Sequence, residues 1–425
     1  MAPLAASAQH RERCAPDKKL REEKARRRRR PIREDEMKRS VQAALACTAL
    51  AFAAAAPALA EGLDEIPEDI RAAVYNPALM DPAQPLGPSA YRDWKPKNGP
   101  PWTIGYASSY AGNTWRADVM ARLEALVPKW KELGLVEDVI ITQSNLNDRT
   151  QIQQMRQLVD QGVDAIIVCC SNPTALNQTV QYAYDRGVPV FSSTGYLTSP
   201  YAVNSSANFV VGGDMMGEWM AKEIGGKGSV LLVEGIPGTS ASDSQDRGIR
   251  LALEKHPDIK IAGTVTGMWT DQVAQAEIQK WLATNPGELD GIIIQSASEL
   301  GALRALQQSG REMIPFTIGG EVGALCYWRK NPDYVSAAFQ AWPPGDDFEV
   351  AWNIMMRTLQ GQGPKIQSIL SKPIIWSYAD VEKAIPADCS EQSDQWANVG
   401  MKDWANNAYL DNFFLRPADP EKFKP

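Results

Sequence analysis

From residue 103 to residue 359 the chain alternates between two hydrophobic patterns. Short apolar, β-branched runs predict strands at 103–108, 139–142, 165–169 and 188–192, and again at 229–233, 260–265, 291–294, 316–318 and 334–339. Between them, apolar residues recur at helical spacing, predicting helices at 115–133, 150–161 and 174–186. A second series follows at 209–223, 244–255, 272–282, 299–309, 322–329 and 347–359. Strands this short and this uniformly apolar belong to parallel sheets covered by helices on both faces, so the fold class is α/β. The stretch 196–207 carries no clear period and reads as irregular. It divides the alternation into two similar α/β units, and in such sheets ligands bind beyond the carboxyl ends of the strands.

The segments ahead of this alternation behave differently. Residues 61–101 contain eight prolines and one short helical candidate at 67–75, so they are expected to wrap the surface without contributing to a core. Residues 37–60 have the parts of an export signal: the charged start Met37-Lys38-Arg39, an apolar stretch from Val41 to Ala56, and a small-residue exit ending at Ala60. Cleavage is expected after Ala60. Residues 1–36, with the run Arg26 to Arg30, then read as an extension upstream of the initiator Met37.

Without residues 1–60 the chain holds 30 basic and 44 acidic groups, a net charge of −14. That balance repels nucleic acid and suits a freely diffusing exported protein. The two histidines of the full sequence, His10 and His256, leave little for a histidine-based metal site or a Ser-His-Asp triad. The sequence contains no phosphate-binding G-x-x-x-x-G-K-[ST], no G-x-S-x-G elbow and no H-E-x-x-H, so neither an enzyme nor a cofactor is expected. An oxidising compartment permits disulfides among Cys169, Cys170, Cys326 and Cys389. The adjacent Cys169 and Cys170 end an apolar run and read as packed, leaving Cys326 with Cys389 as the expected bridge.

The loops that follow the strands carry hydroxyls, amides, carboxylates and tryptophans: Ser108 to Arg116, Ser192 to Tyr196, Gly235 to Asp243, Met268-Trp269, Gln295-Ser296, Gly319 to Glu321, and Gln340 to Trp342. Amides and charged groups hydrogen-bond hydroxyls in both directions, and indole faces lie against the C–H face of a sugar. Four segments add order and spacing to that chemistry: Ile104 to Arg116, Gly162 to Leu176, Arg186-Gly187-Val188-Pro189-Val190, and Gly301 to Leu306. Together with the loop Gly235 to Ser242 they resemble the ribose-binding-like, type I class of periplasmic sugar-binding proteins that serve ABC importers.

The resemblance spans about residues 102–360. It implies two Rossmann-like lobes joined by three crossovers, with residues 102–205 and 342–372 in the first lobe and 206–341 in the second. Residues 373–425 would be an extension packed on the lobes. It further implies a monomeric, non-catalytic receptor that passes a sugar or polyol to a membrane permease, or one that feeds a sensor or chemotaxis system.

Carried over by position, the ligand residues are Ser109, Asn113, Trp115 and Arg116 in the first loop, and Thr194, Asp243 or alternatively Arg247, Trp269, Gln295, Glu321 and Gln340 beyond it. At Thr194-Gly195 the chain departs from ribose-like members, which carry an Asp-Arg pair there. Asn113 also suits a helix N-cap, and Trp328, Trp352, Trp376, Trp396 and Trp404 read as packing residues. A LacI-like regulator would share the lobes but needs a helix-turn-helix where this chain has an apolar signal and a Pro-rich stretch.

Overall fold

The computed structural model describes residues 62–169, 172–340, 343–397 and 405–416. The export signal and its cleavage position, Cys170, Trp342 and Trp404 therefore lie outside the described residues. The first lobe is built on a six-stranded sheet in the order β10-β5-β4-β3-β1-β2, every pairing parallel. Its strands are β1 (Trp102–Ser108), β2 (Val136–Gln143), β3 (Ala165–Val168), β4 (Val190–Ser193), β5 (Ala202–Ala207) and β10 (Ser368–Ser371). The second lobe carries the parallel sheet β7-β6-β8, from β6 (Gly228–Glu234), β7 (Ile259–Thr266) and β8 (Gly291–Ile294), which Phe316 extends by a bridge to Ile292. An antiparallel pair, β9 (Ala338–Gln340) with β11 (Ile374–Trp376), lies beside it.

Helices cover both sheets. They are α1 (Glu68–Val74), α2 (Thr114–Glu132), α3 (Asp148–Asp160) and α4 (Asn177–Asp185), then α5 (Phe209–Glu223), α6 (Ser240–Leu253), α7 (Asp271–Thr284) and α8 (Glu299–Ser309). After them come α9 (Val322–Lys330), α10 (Pro344–Leu359), α11 (Tyr378–Ala384) and α12 (Asn407–Asp411). Their starts follow from local chemistry: the side chains of Asn113, Asn147, Asn208 and Thr239 accept hydrogen bonds from the first backbone N–H groups of α2, α3, α5 and α6. Glycines let α5 and α6 cross in close contact. A Cβ at Gly213 would stand 2.0 Å from the Gln245 carbonyl oxygen, and one at Gly248 would stand 2.0 Å from that of Val210.

Up to β11 the chain passes between the lobes three times: from β5 into α5, from β9 into α10, and from β10 into β11. Each crossing links an element of the six-stranded layer to one packed around the smaller sheet, which is the connectivity of a type I binding-protein fold.

Two expectations are corrected. Residues 202–207, read as irregular, form β5, buried along its whole length. Its polar residues hid it: Asn204 accepts from Ser192 Oγ (2.9 Å) and the Leu197 N–H (2.9 Å) and donates to Ser368 Oγ (3.2 Å), so a polar strand is satisfied inside the lobe. The Pro-rich segment is also more than a surface wrap, since Ile66, Val74, Tyr75, Met80 and Tyr91 are buried in the core of the first lobe. Prolines forbid strands and long helices, but they leave the apolar side chains between them free to pack.

The tail returns across the molecule. Cys389 is disulfide-bonded to Cys326 on α9, and the backbone of residues 393–397 pairs with residues 320–323 of the second lobe. Residues 405–416 pack on the first lobe, where Phe413 and Phe414 are buried and Asp411 pairs with the buried Arg357 at 2.7 Å. Trp328, Trp352, Trp376 and Trp396 are all buried.

Candidate functional site

The carboxyl ends of the strands in both sheets face one cavity of about 800 Å³, its open mouth included. From the first lobe it is lined by Ser109, Tyr110, Asn113, Trp115 and Arg116 after β1, Leu146 after β2, Thr194 after β4, and Asp347 in the first turn of α10. The second lobe contributes Ile236 and Thr239 after β6, Ala241 and Gln245 on α6, Trp269 after β7, and Ser296 and Ala297 after β8. Phe209, at the first crossing, completes the wall. Indole, phenyl and aliphatic groups dominate it, with a few polar groups converging between them.

The backbone is strained where it approaches the cavity. Leu146 (φ 61°), Thr194 (φ 64°), Trp269 (φ 49°) and Ala297 (φ 76°) all adopt left-handed conformations that cost non-glycine residues free energy. Trp269 also needs room behind it, and Gly235 provides it: a Cβ there would stand 2.1 Å from the indole. On the opposite wall Trp115 is buried and the Arg116 guanidinium lies 4.6 Å from its ring centroid. Arg116 also hydrogen-bonds Cys169 Sγ, so this buried cysteine holds the arginine against the cavity.

The lobes touch beside the cavity. Asn113 Nδ2 donates to the Trp269 carbonyl (3.0 Å), the Tyr110 and Thr270 hydroxyls are hydrogen-bonded (3.1 Å), and the Tyr196 N–H donates to Ser240 Oγ (3.0 Å). These contacts bridge the two lobes across the cleft.

Six of the ten residues carried over from the sequence therefore line the cavity: Ser109, Asn113, Trp115, Arg116, Thr194 and Trp269. Three stand elsewhere. Asp243 is exposed and caps the Gly238 N–H at 2.9 Å. Gln295 is buried and spends its amide within the second lobe, accepting from the Gly235 N–H and Ser242 Oγ (both 2.9 Å) and donating to the Ser242 carbonyl. Glu321 belongs to a buried carboxyl group cluster with Asp271 and Glu299 at the start of α8, where it accepts from the Leu300 N–H at 2.9 Å. Burial, and then mutual repulsion, pushes Glu321 well above the usual carboxylate range, and burial pushes Glu299 up to about 7. Gln340 ends β9, with its side chain outside the described residues.

Sequence reasoning missed Asp347, Gln245 and Phe209. Asp347 sits one residue after Asp346 in a helical first turn, where acids are common for helical reasons alone. Gln245 and Phe209 lie within helices rather than in loops after strands. Asp347 is 2% exposed and accepts from Thr194 Oγ1 (2.5 Å) and Ser193 Oγ (3.2 Å). Burial raises its pKa to about 6.

Two lobes with parallel sheets, three crossings and a cavity between strand ends define the architecture of a bilobal solute receptor. The periplasmic binding protein domain model matches residues 104–363, and the chain belongs to that family. Its members are extracytoplasmic ligand-binding components of transporters rather than enzymes.

Among curated relatives, a xylitol-binding protein of Mycolicibacterium smegmatis is 32% identical over 180 residues, 42% of this chain and 52% of the relative. The alignment thus spans about half the length of that protein. The ribose import binding protein of Bacillus subtilis is 25% identical over 286 residues, 64% of this chain and 86% of the relative. A solute-binding protein of Thermobispora bispora shares the fold, with a TM-score of 0.64 at 24% identity over 70% of this chain and 91% of that one. A Caulobacter myo-inositol-binding protein gives a TM-score of 0.59 at 19% identity, covering 67% and 96%.

Proposed function

We propose that this protein is an exported solute receptor that captures a sugar or polyol between its lobes and delivers it to the permease of an ABC importer. The observation that carries this reading is the cavity itself. Trp115 and Trp269 face it from opposite lobes, so a ligand with apolar C–H faces is gripped only when both lobes are in place. Ligand bound there favours the closed form by linking groups that part when the lobes open, and the closed form is what a permease would recognise. The relatives named for xylitol and ribose are in keeping with a small polyhydroxylated ligand. Export follows from the signal at residues 37–60, with cleavage after Ala60 and release to the periplasm.

The test is a thermal-shift screen of the purified chain against pentoses, hexoses, deoxysugars and polyols. A ligand present at 100 times its Kd adds about 2.7 kcal/mol to the stability of the folded state. The expected outcome is a shift confined to one chemical group and reduced by Trp115→Ala or Trp269→Ala. Silence across the panel from folded, ligand-free protein overturns the reading.

A further inference from the structure

Most polar groups on the cavity wall are already committed. Asn113 uses both ends of its amide, accepting from the Arg116 N–H and donating to the Trp269 carbonyl. The Thr239 hydroxyl donates to the Ile236 carbonyl at 2.7 Å, and that of Thr194 donates to Asp347. Arg116 holds Cys169. No hydrogen bond among the described residues engages Asp347 Oδ1 or the Gln245 side-chain amide. Asp347 is the only carboxylate lining this cavity among the described residues.

We infer that Asp347 sets the chemistry of the ligand: its carboxylate, fixed through Oδ2 by Thr194 and Ser193, accepts the adjacent hydroxyls of a vicinal diol on a neutral sugar or polyol. This deepens the receptor reading and rests on it. Carboxylate oxygens carry lone pairs enough for two further donors, and a diol presents two donors on neighbouring carbons. The Arg116 guanidinium interacts electrostatically with Asp347, so the pair adds no net charge to the cavity. An anionic ligand would meet Asp347 and a cationic one Arg116, which leaves the neutral ligand favoured.

A diol-binding carboxylate must be ionised. The groups around Asp347 are Arg116, Asp118 and Arg122 from α2, of which Asp118 accepts from the Gly345 N–H and Arg122 pairs with Asp346 and Glu349. On its own helix Asp346 and Glu349 stand nearby, while Ser193 and Thr194 on the β4 side do not titrate in the accessible range. Burial holds the Asp347 pKa at about 6, so the group is charged at neutral pH and neutral at pH 5.

The experiment is titration calorimetry of the full chain and of Asp347→Asn with xylitol, D-ribose, 2-deoxy-D-ribose and xylonate between pH 5 and pH 7.5. With the wild type, affinity for the better neutral probe falls about tenfold from pH 7.5 to pH 5, as a single ionisation near 6 requires. Asp347→Asn binds that probe at least tenfold more weakly at pH 7.5, shows a flat pH profile, and discriminates less between xylitol and xylonate. Because the wild-type pH profile needs no variant, misfolding of Asp347→Asn would not hide the answer. A flat wild-type profile together with a variant within threefold of wild type overturns the inference and leaves the receptor reading standing. Preferential binding of xylonate by the wild type overturns it too. No binding of any of the four probes overturns the inference, and silence across the wider panel of the thermal-shift screen overturns the receptor reading with it.

Discussion

Trp269 shows how much a single side chain in the cavity depends on its neighbours. Its left-handed backbone swings the indole over Gly235, and the space there is that of a hydrogen atom. Gly235→Ala therefore displaces the indole, and ligand affinity is expected to fall by tenfold or more, read by titration, while the lobe stays folded. Asp347 carries the opposite burden, because its native pKa of about 6 lies above the value near 3.9 of a free aspartate. A carboxyl raised in this way favours the folded state while protonated. That advantage is complete below about pH 4 and lost once the pH passes 6, so at pH 7 the buried charge costs stability. Asp347→Asn should make the ligand-free protein more stable at pH 7 by about 1–2 kcal/mol while weakening binding, a trade seen in paired thermal and calorimetric measurements. The aromatic part of this site was legible in the sequence because tryptophans in post-strand loops have few other uses. Its acid was not, because an aspartate in the first turn of a helix has an ordinary explanation in the helix dipole.

Among the elements, the closest packing is between α5 and α6. Gly213, Gly217 and Gly248 bring the two backbones together, and a methyl at Gly248 would meet the Val210 carbonyl oxygen at 2.0 Å with backbone on both sides and no flexible group to yield. Gly248→Ala is expected to destabilise the second lobe by about 1–3 kcal/mol, measured by denaturant unfolding, since α5 also forms the first crossing. Helices such as Phe209–Glu223 and Glu299–Ser309 could be read from periodicity because one face is apolar throughout. The strands β5 and β10 could not. The sequences Ala-Val-Asn-Ser-Ser-Ala and Ser-Ile-Leu-Ser owe their place to hydrogen bonds with partners far along the chain, among them Asn204 to Ser368, and no local pattern announces such a pairing.

At the scale of the molecule, the tail adds a fourth connection to the three crossings. It is tied to the second lobe by Cys389, touches the first through the Trp396 indole, which donates to Thr114 Oγ1 at 3.0 Å, and buries its own Phe413 and Phe414 in the first lobe. Reducing the Cys326–Cys389 bond opens a loop of 63 residues, worth about 4 kcal/mol in chain entropy. Reduced protein should unfold at correspondingly lower denaturant and, in small-angle scattering, sample wider ligand-free conformations. The buried carboxyl cluster acts on the whole fold as well. Asp271, Glu299 and Glu321 all have raised pKa values, so they favour the folded state at acid pH and lose that contribution as the pH rises through their native pKa values, which for Glu299 is about 7. Thermal unfolding of the ligand-free protein should accordingly occur at higher temperature at pH 5 than at pH 8.

The buried tyrosine near the start of the described chain has a consequence for synthesis. Tyr75 donates through its hydroxyl to the Ser368 carbonyl and accepts from the Leu370 N–H, partners 293 and 295 residues later. The six-stranded layer thus lacks an edge strand, and its first helix lacks an anchor, until nearly the whole polypeptide has been made. A nascent chain cannot finish its first half before its second. Exported as proposed above, such a chain would still be threadable when it met a translocation pore, and would become compact only once the strand at Ser368–Ser371 had followed it through.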